Sequence, residues 1–158
     1  MDGIVIARSL HVLAVVLWIG GLAMVTIVLL PAVRRGDLGA DRLRAFEAIE
    51  RRFVPLAQIA VIVVGATGFY MAARQELWQR FQSAQFWWMH AMVGLWLLFT
   101  LILFVAEPLI VHRRFHDWAT VAPDAAFAWL HRAHWVLLAL ALITVLGAVA
   151  GSQGWPGP

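Results

Sequence analysis

The hydrophobic positions of this chain neither alternate nor recur every third or fourth residue; they run on. Ile4 to Leu30, Phe53 to Ala73, Phe86 to Val111 and Leu130 to Gly151 are apolar stretches broken only by isolated polar residues. A helix crosses a hydrocarbon layer of roughly 30 Å with about 20 apolar residues, and each stretch reaches that length. The pattern predicts an all-α protein, a transmembrane four-helix bundle. Because the spans occupy most of the chain, residues 1–158 read as a single integral membrane domain. The first stretch outlasts the roughly 7 to 15 apolar residues of a secretion signal, and no small-residue cleavage pattern follows before Arg34, so it reads as a retained helix.

The segments between the spans carry a different periodicity. In DRLRAFEAIERRF, Leu43, Phe46, Ile49 and Phe53 recur at three to four residues, with Arg42, Glu47, Glu50 and Arg51 on the other side. That spacing predicts a short amphipathic helix lying at the membrane surface between helices 1 and 2. Pro31 and the Gly36 to Gly39 region end helix 1, and Pro55 falls in the first turn of helix 2, where a missing amide donor is tolerated. Trp78, Phe81, Trp87 and Trp88 suit an interfacial aromatic belt, and Trp118, Trp129 and Trp135 suit its counterpart on the other side.

Composition agrees with a membrane protein: 63% of residues are hydrophobic, 13% are charged, and the mean hydropathy is +0.81. Without cysteine there are neither disulfides nor thiolate metal sites. All twelve basic residues are arginine, and they flank apolar spans instead of forming a stripe, which excludes a nucleic-acid partner. Arg34, Arg35, Arg42, Arg44, Arg51 and Arg52 lie between helices 1 and 2, and Arg113, Arg114 and Arg132 lie around the connection from helix 3 to helix 4. Only Arg8, Arg74 and Arg80 lie on the opposite side. The positive-inside rule then puts both termini of this multi-pass chain outside, N-out and C-out, and the amphipathic helix in the cytoplasm.

His11, in SLHVLAVVLWIGG, is an imidazole inside an apolar run. It lies about seven residues into helix 1 and His90 about four residues into helix 3, both counted from outside. With a rise of about 1.5 Å per residue the two rings share a level near the outer surface. Paired neutral imidazoles on separate helices are the arrangement that ligates a haem iron from both faces, each ring keeping one nitrogen for a supporting bond. Ala7 and Ala14 flank His11, and Gly94 lies one turn beyond His90, where a flat macrocycle needs room. Arg8 and Arg74 are placed to pair with propionates, and Tyr70 to add a hydrogen bond.

At the cytoplasmic end stand His112, His116, His131 and His134. His112 follows His90 by 22 residues, about six turns, so one helix presents a ligand near each surface. His112 with His134 reads as a second bis-histidine haem site. A competing reading takes His112 with His116 and His131 with His134 as ligands for copper or zinc; a plainer one makes all four interfacial polar residues. Glu107 reads as a partner for a loop arginine such as Arg52, with proton transfer or a bond to an imidazole on an adjacent helix as the alternative, and Gly65, Gly68, Gly147 and Gly151 as positions of close helix packing. No nucleophile triad, phosphate loop or nucleotide fingerprint is present.

LHVLAVVLWIGGL, with Trp seven residues after His and then Gly-Gly, resembles the opening helix of the copper-resistance protein D family and, more distantly, of HemJ-type protoporphyrinogen oxidases. FWWMHAMVGLWLLF and LHRAHWVLLAL are similar to helices of small bacterial integral membrane proteins grouped around those families. The resemblance implies a four-helix inner-membrane protein binding haem b, with His11 carried over most directly. The lysine that marks the HemJ-type proteins has no counterpart in this chain.

The expectation is therefore a membrane-embedded protein with one or two b-type haems and bis-histidine ligation. It would move electrons across or within the membrane, with lipid around it and a quinol or redox protein as partner, as a homo-oligomer or a subunit of a larger complex. The rival expectations are a copper-handling protein and a HemJ-like porphyrinogen oxidase, and catalysis is left open.

Overall fold

A computed structural model describes residues 3–39 and 41–155, without the side chains of residues 110–112. Helices α1 (Gly3–Arg35), α2 (Arg42–Arg74), α3 (Ala84–Leu109) and α5 (Pro123–Ser152) are each long and apolar enough to cross a membrane. A shorter helix, α4 (His112–Val121), precedes α5. Among the described residues there is no strand.

The helices associate through small and aromatic positions while presenting Leu, Ile and Val outward. Val12, Val16, Ile59, Ile62, Leu101, Ile143 and Leu146 are all exposed. In water such a surface would aggregate; on a multi-pass membrane protein it is the lipid-facing side. Inside, α1 packs along α2, α2 and α5 flank α3, and α5 returns to α1, so α1 and α3 stand on opposite corners. Trp18 and Phe99 meet edge-on across that diagonal, ring centroids 4.8 Å apart, and fill the middle of the core. Buried hydroxyls turn back on their own helices, Thr26 to Leu22 O, Thr100 to Trp96 O and Thr144 to Leu140 O, so none is left unpaired in an apolar interior.

Helix α1 ends at Gly36, which takes the left-handed conformation (φ 82°) as a C-cap. Asp41 caps α2 by accepting from the Arg44 amide at 3.0 Å. From there α2 runs unbroken for 33 residues. The amphipathic segment is thus the first three turns of the second span and not a separate surface helix. Its apolar face is buried against protein: Phe46, with Leu43, Ile49 and Phe53, packs on Val25, Leu30, Val33, Phe127 and Leu130. Pro55 accordingly lies inside α2 and not in a first turn.

Two π-helical stretches interrupt the long helices, Val25–Leu29 in α1 and Ile102–Val111 running from α3 to the start of α4, and each is tied to a proline. In π register a carbonyl accepts from the amide five residues on. Leu30 N–H goes to Val25 O, and the next donor along would be residue 31, a proline. Thr26 O is therefore orphaned, and His131 of α5 supplies the missing donor at 2.9 Å. The same offset separates Leu103 from Pro108, and Gln58 of α2 donates its side-chain amide to Leu103 O at 3.0 Å. Each bulge thereby becomes a cross-link to a neighbouring helix.

The connection from helix 3 to helix 4 is more ordered than the apolar pattern predicts. Pro123 at the first position and Asp124 in the first turn start α5 two turns before the hydrophobic run at Leu130. Phe115 docks α4 by meeting Phe46 and Phe127 in a cluster of three rings.

Candidate functional site

The face of α1 that meets α2 carries Ala7, His11, Ala14 and Trp18 at helical spacing. His11 Nδ1 lies 3.0 Å from the Thr67 hydroxyl of α2. That hydroxyl has one proton and gives it to Val63 O at 2.5 Å, with Val64 O at 3.3 Å. Thr67 therefore accepts from His11, which places the imidazole proton on Nδ1 and leaves the lone pair on Nε2. Gly68 makes the approach possible, since a Cβ there would stand 3.3 Å from His11 Cε1. No side-chain hydrogen bond to His11 Nε2 is present among the described residues.

A neutral imidazole with Nδ1–H held by a fixed acceptor and Nε2 free is the form that ligates a metal. His134 adopts it too, with Nδ1 3.0 Å from Leu130 O one turn earlier on α5. The chemistry of these two side chains fits axial haem ligation. They stand near opposite ends of the bundle, His11 toward the end holding Arg74 and Ser152, His134 toward the end holding Arg42 and Pro123.

His90 is at the same end as His11, as its depth predicts, but the structure does not bring the two rings together. The His90 ring is exposed and turned onto the α2–α3 connection, with Nε2 3.0 Å from Phe81 O and Nδ1 3.3 Å from Phe86 O. It ends an aromatic ladder running Phe69, Trp78, Phe81, His90. Depth along a helix follows from counting residues; rotation about the axis is decided by these local carbonyls.

The flanking residues separate similarly. Ala7 and Ala14 are buried where α1 meets α2, and give close helix contact. Gly94 has no atom within 4 Å of where its Cβ would be, so the space beside it is open. Arg8 stands with Ile4, Val5, Ser9 and Val12 along one largely exposed face of α1, while Arg74 ends α2; neither has an ion pair among the described residues. The Tyr70 hydroxyl lies against Gly3, 2.7 Å from where a Cβ would stand.

At the other end the histidines are committed to different partners. His116 binds Glu47 at 2.7 Å, tying α4 to α2. Hydrogen bonding to Glu47 raises the His116 pKa above its ordinary value. His131 donates from Nε2 to Thr26 O and accepts at Nδ1 from Arg34, leaving neither nitrogen for a metal. The His112 side chain lies outside the described residues. Among the described residues no three His, Asp or Glu side chains gather as a metal site, so His116, His131 and His134 do not form one between them.

Thr67, Gly68, Gln58 and the Arg34–His131 pair carry the polar architecture and were not singled out as partners by sequence. For Thr67 a signal exists: it lies seven residues before the end of α2, about as deep as His11 lies in α1. Comparison with known protein families, curated proteins and solved structures finds no match to this chain.

Proposed function

We propose that this chain is a membrane-embedded haem b protein that takes part in electron transfer, in which His11 would hold the haem iron. The observation that supports this most is the His11–Thr67 bond, which fixes the tautomer and leaves Nε2 available on a helix face within the bundle. Bound haem b supplies one-electron chemistry through its iron. The chain's own contribution is ligation, orientation and exclusion of water. Thr67 keeps the proton on Nδ1 and holds the ring's rotation, and Trp18 and Phe99 close the core beneath it. His90 is the candidate second ligand on this side, at the expense of a hydrogen bond to the Phe81 or the Phe86 carbonyl, a neutral imidazole having one N–H to give. Arg8 and Arg74, free of ion pairs among the described residues, are the candidate partners for propionates. His134 offers the same chemistry for a second haem, with His112 as its candidate partner.

The resemblance of LHVLAVVLWIGGL to the copper-resistance protein D and HemJ-type families agrees with this reading, which carries with it N-out, C-out insertion in a bacterial inner membrane and a quinol or protein redox partner. The test is the absorption spectrum of protein purified in detergent, with a pyridine haemochrome count. A Soret band and a sharp reduced α band that weaken in His11→Ala support the proposal. Protein that is colourless and takes up no added haemin overturns it.

A further inference from the structure

An open surface cleft of about 370 Å³ lies at the loop end of the bundle, lined by the exposed Arg34, Arg35 and Asp124 with the half-buried Pro31 and His131. Two of its ion pairs are internally matched: Arg35 to Asp37 at 3.0 Å, and Arg42, from beside the cleft, to Asp124 at 2.8 Å. Arg34 is different. Its guanidinium gives one N–H to His131 Nδ1 at 3.0 Å and meets no carboxylate among the described residues.

The partner is a neutral imidazole for a structural reason. Thr26 O only accepts, so His131 must donate to it from Nε2; Arg34 only donates, so His131 must accept at Nδ1. The chain of cause begins at Pro31, whose missing N–H orphans Thr26 O inside the π turn. His131 is thus held from one side by the helix defect and holds Arg34 from the other. A side chain that would otherwise sample many rotamers is oriented, and its positive charge is left uncompensated at the cleft wall. Counting Arg34, Arg35 and Arg42 against Asp37 and Asp124 leaves an excess of one positive charge around the opening.

An oriented guanidinium presents a planar fork of donors suited to an oxyanion, and phosphate is the group it binds best in bidentate fashion. We propose that this cleft binds a phosphate group, with Arg34 contacting it and His131 acting as the positioning residue. The phosphate belongs either to the headgroup of an anionic phospholipid or to a small soluble phosphate; both present the same oxyanion. The site is independent of the haem proposal and shares no residue with the His11 side.

Protein in nanodiscs of phosphatidylcholine doped with phosphatidylglycerol is released and weighed by native mass spectrometry, and delipidated protein in detergent is titrated with inorganic phosphate followed by phosphorus NMR. Retained phosphatidylglycerol that falls about tenfold in Arg34→Gln supports the site with lipid as occupant. Phosphate binding with the same dependence, and no retained lipid, supports it with a soluble occupant. His131→Phe should weaken whichever ligand binds by about threefold through loss of orientation. The double variant Pro31→Ala with His131→Phe restores an N–H donor near Thr26 O and separates lost positioning from lost folding. Absence of both ligands, or binding that Arg34→Gln leaves unchanged, overturns the proposal. Unchanged binding in folded His131→Phe overturns the positioning role.

Discussion

His11 and Thr67 are joined across α1 and α2 by a 3.0 Å hydrogen bond in which the hydroxyl, its own proton spent on Val63 O, can only accept. Replacing Thr67 by valine keeps the shape and removes the acceptor. If His11 is an axial ligand, Thr67→Val leaves the haem bound but lowers its affinity by about 10- to 100-fold and shifts its midpoint potential, because the supporting bond sets ring basicity and rotation. Haemin titration and spectroelectrochemistry read both effects. A variant matching wild type in affinity and potential would count against ligation by His11.

Glycines that look alike in sequence are predicted to behave differently. A Cβ on Gly65 would stand 2.6 Å from the Trp96 ring, which cannot swing away because its Nε1 donates to Val61 O at 2.9 Å. Gly65→Ala should cost about 1–3 kcal/mol through overpacking. Gly94 faces open space, so Gly94→Ala should gain roughly 0.5–1 kcal/mol from helix propensity. Thermal unfolding in detergent orders the two. Gly94→Phe adds a test of the haem reading: a macrocycle seated beside that position would be displaced and its spectrum lost, whereas bare lipid-facing surface would accept the ring.

The spans were legible in the sequence because an apolar run of bilayer length has one structural solution, and the lone His11 within such a run marked a polar position that needed an explanation. Which neighbour meets each helix was not legible. The period of Phe46 and Ile49 correctly indicated a helix with one apolar face, but the same period serves a lipid surface or a protein core, and here Phe127 and Leu130 cover it. His90 has the depth expected from counting residues, yet its ring turns to Phe81, because rotation depends on carbonyls exposed by the irregular α2–α3 connection. The π turns were invisible for a related reason. Pro31 and Pro108 signal a lost donor, but not that His131 and Gln58 replace it from other helices.

The His116–Glu47 pair should make the docking of α4 depend on pH. Hydrogen bonding to Glu47 raises the His116 pKa in the folded protein. A raised value means that the folded state holds the proton more tightly, so the contribution is full below the ordinary histidine value of about 6.5 and is lost as pH climbs through the raised value. Glu47→Gln should therefore lower the unfolding midpoint near pH 6 and have little effect near pH 9, a window kept above the ordinary glutamate value of about 4.3. A difference that is constant across this range would mean that charge on His116 plays no part.

Gln58 and Pro108 should be coupled through Leu103 O. Pro108 removes the amide that would bond Leu103 O in π register, and Gln58 replaces it. Gln58→Leu leaves a carbonyl unsatisfied in an apolar interior, a loss of about 1–3 kcal/mol. Pro108→Ala returns an N–H to the helix, so the carbonyl no longer depends on α2, and Gln58→Leu in that background should cost less by about 1 kcal/mol or more. A double-mutant cycle on thermal unfolding isolates the coupling, because each single substitution also carries its own change in packing. Additive costs would show that Leu103 O finds another donor, and would remove the reason for reading this π stretch, and by analogy the one that feeds His131 and Arg34, as a device that recruits a side chain from a neighbouring helix.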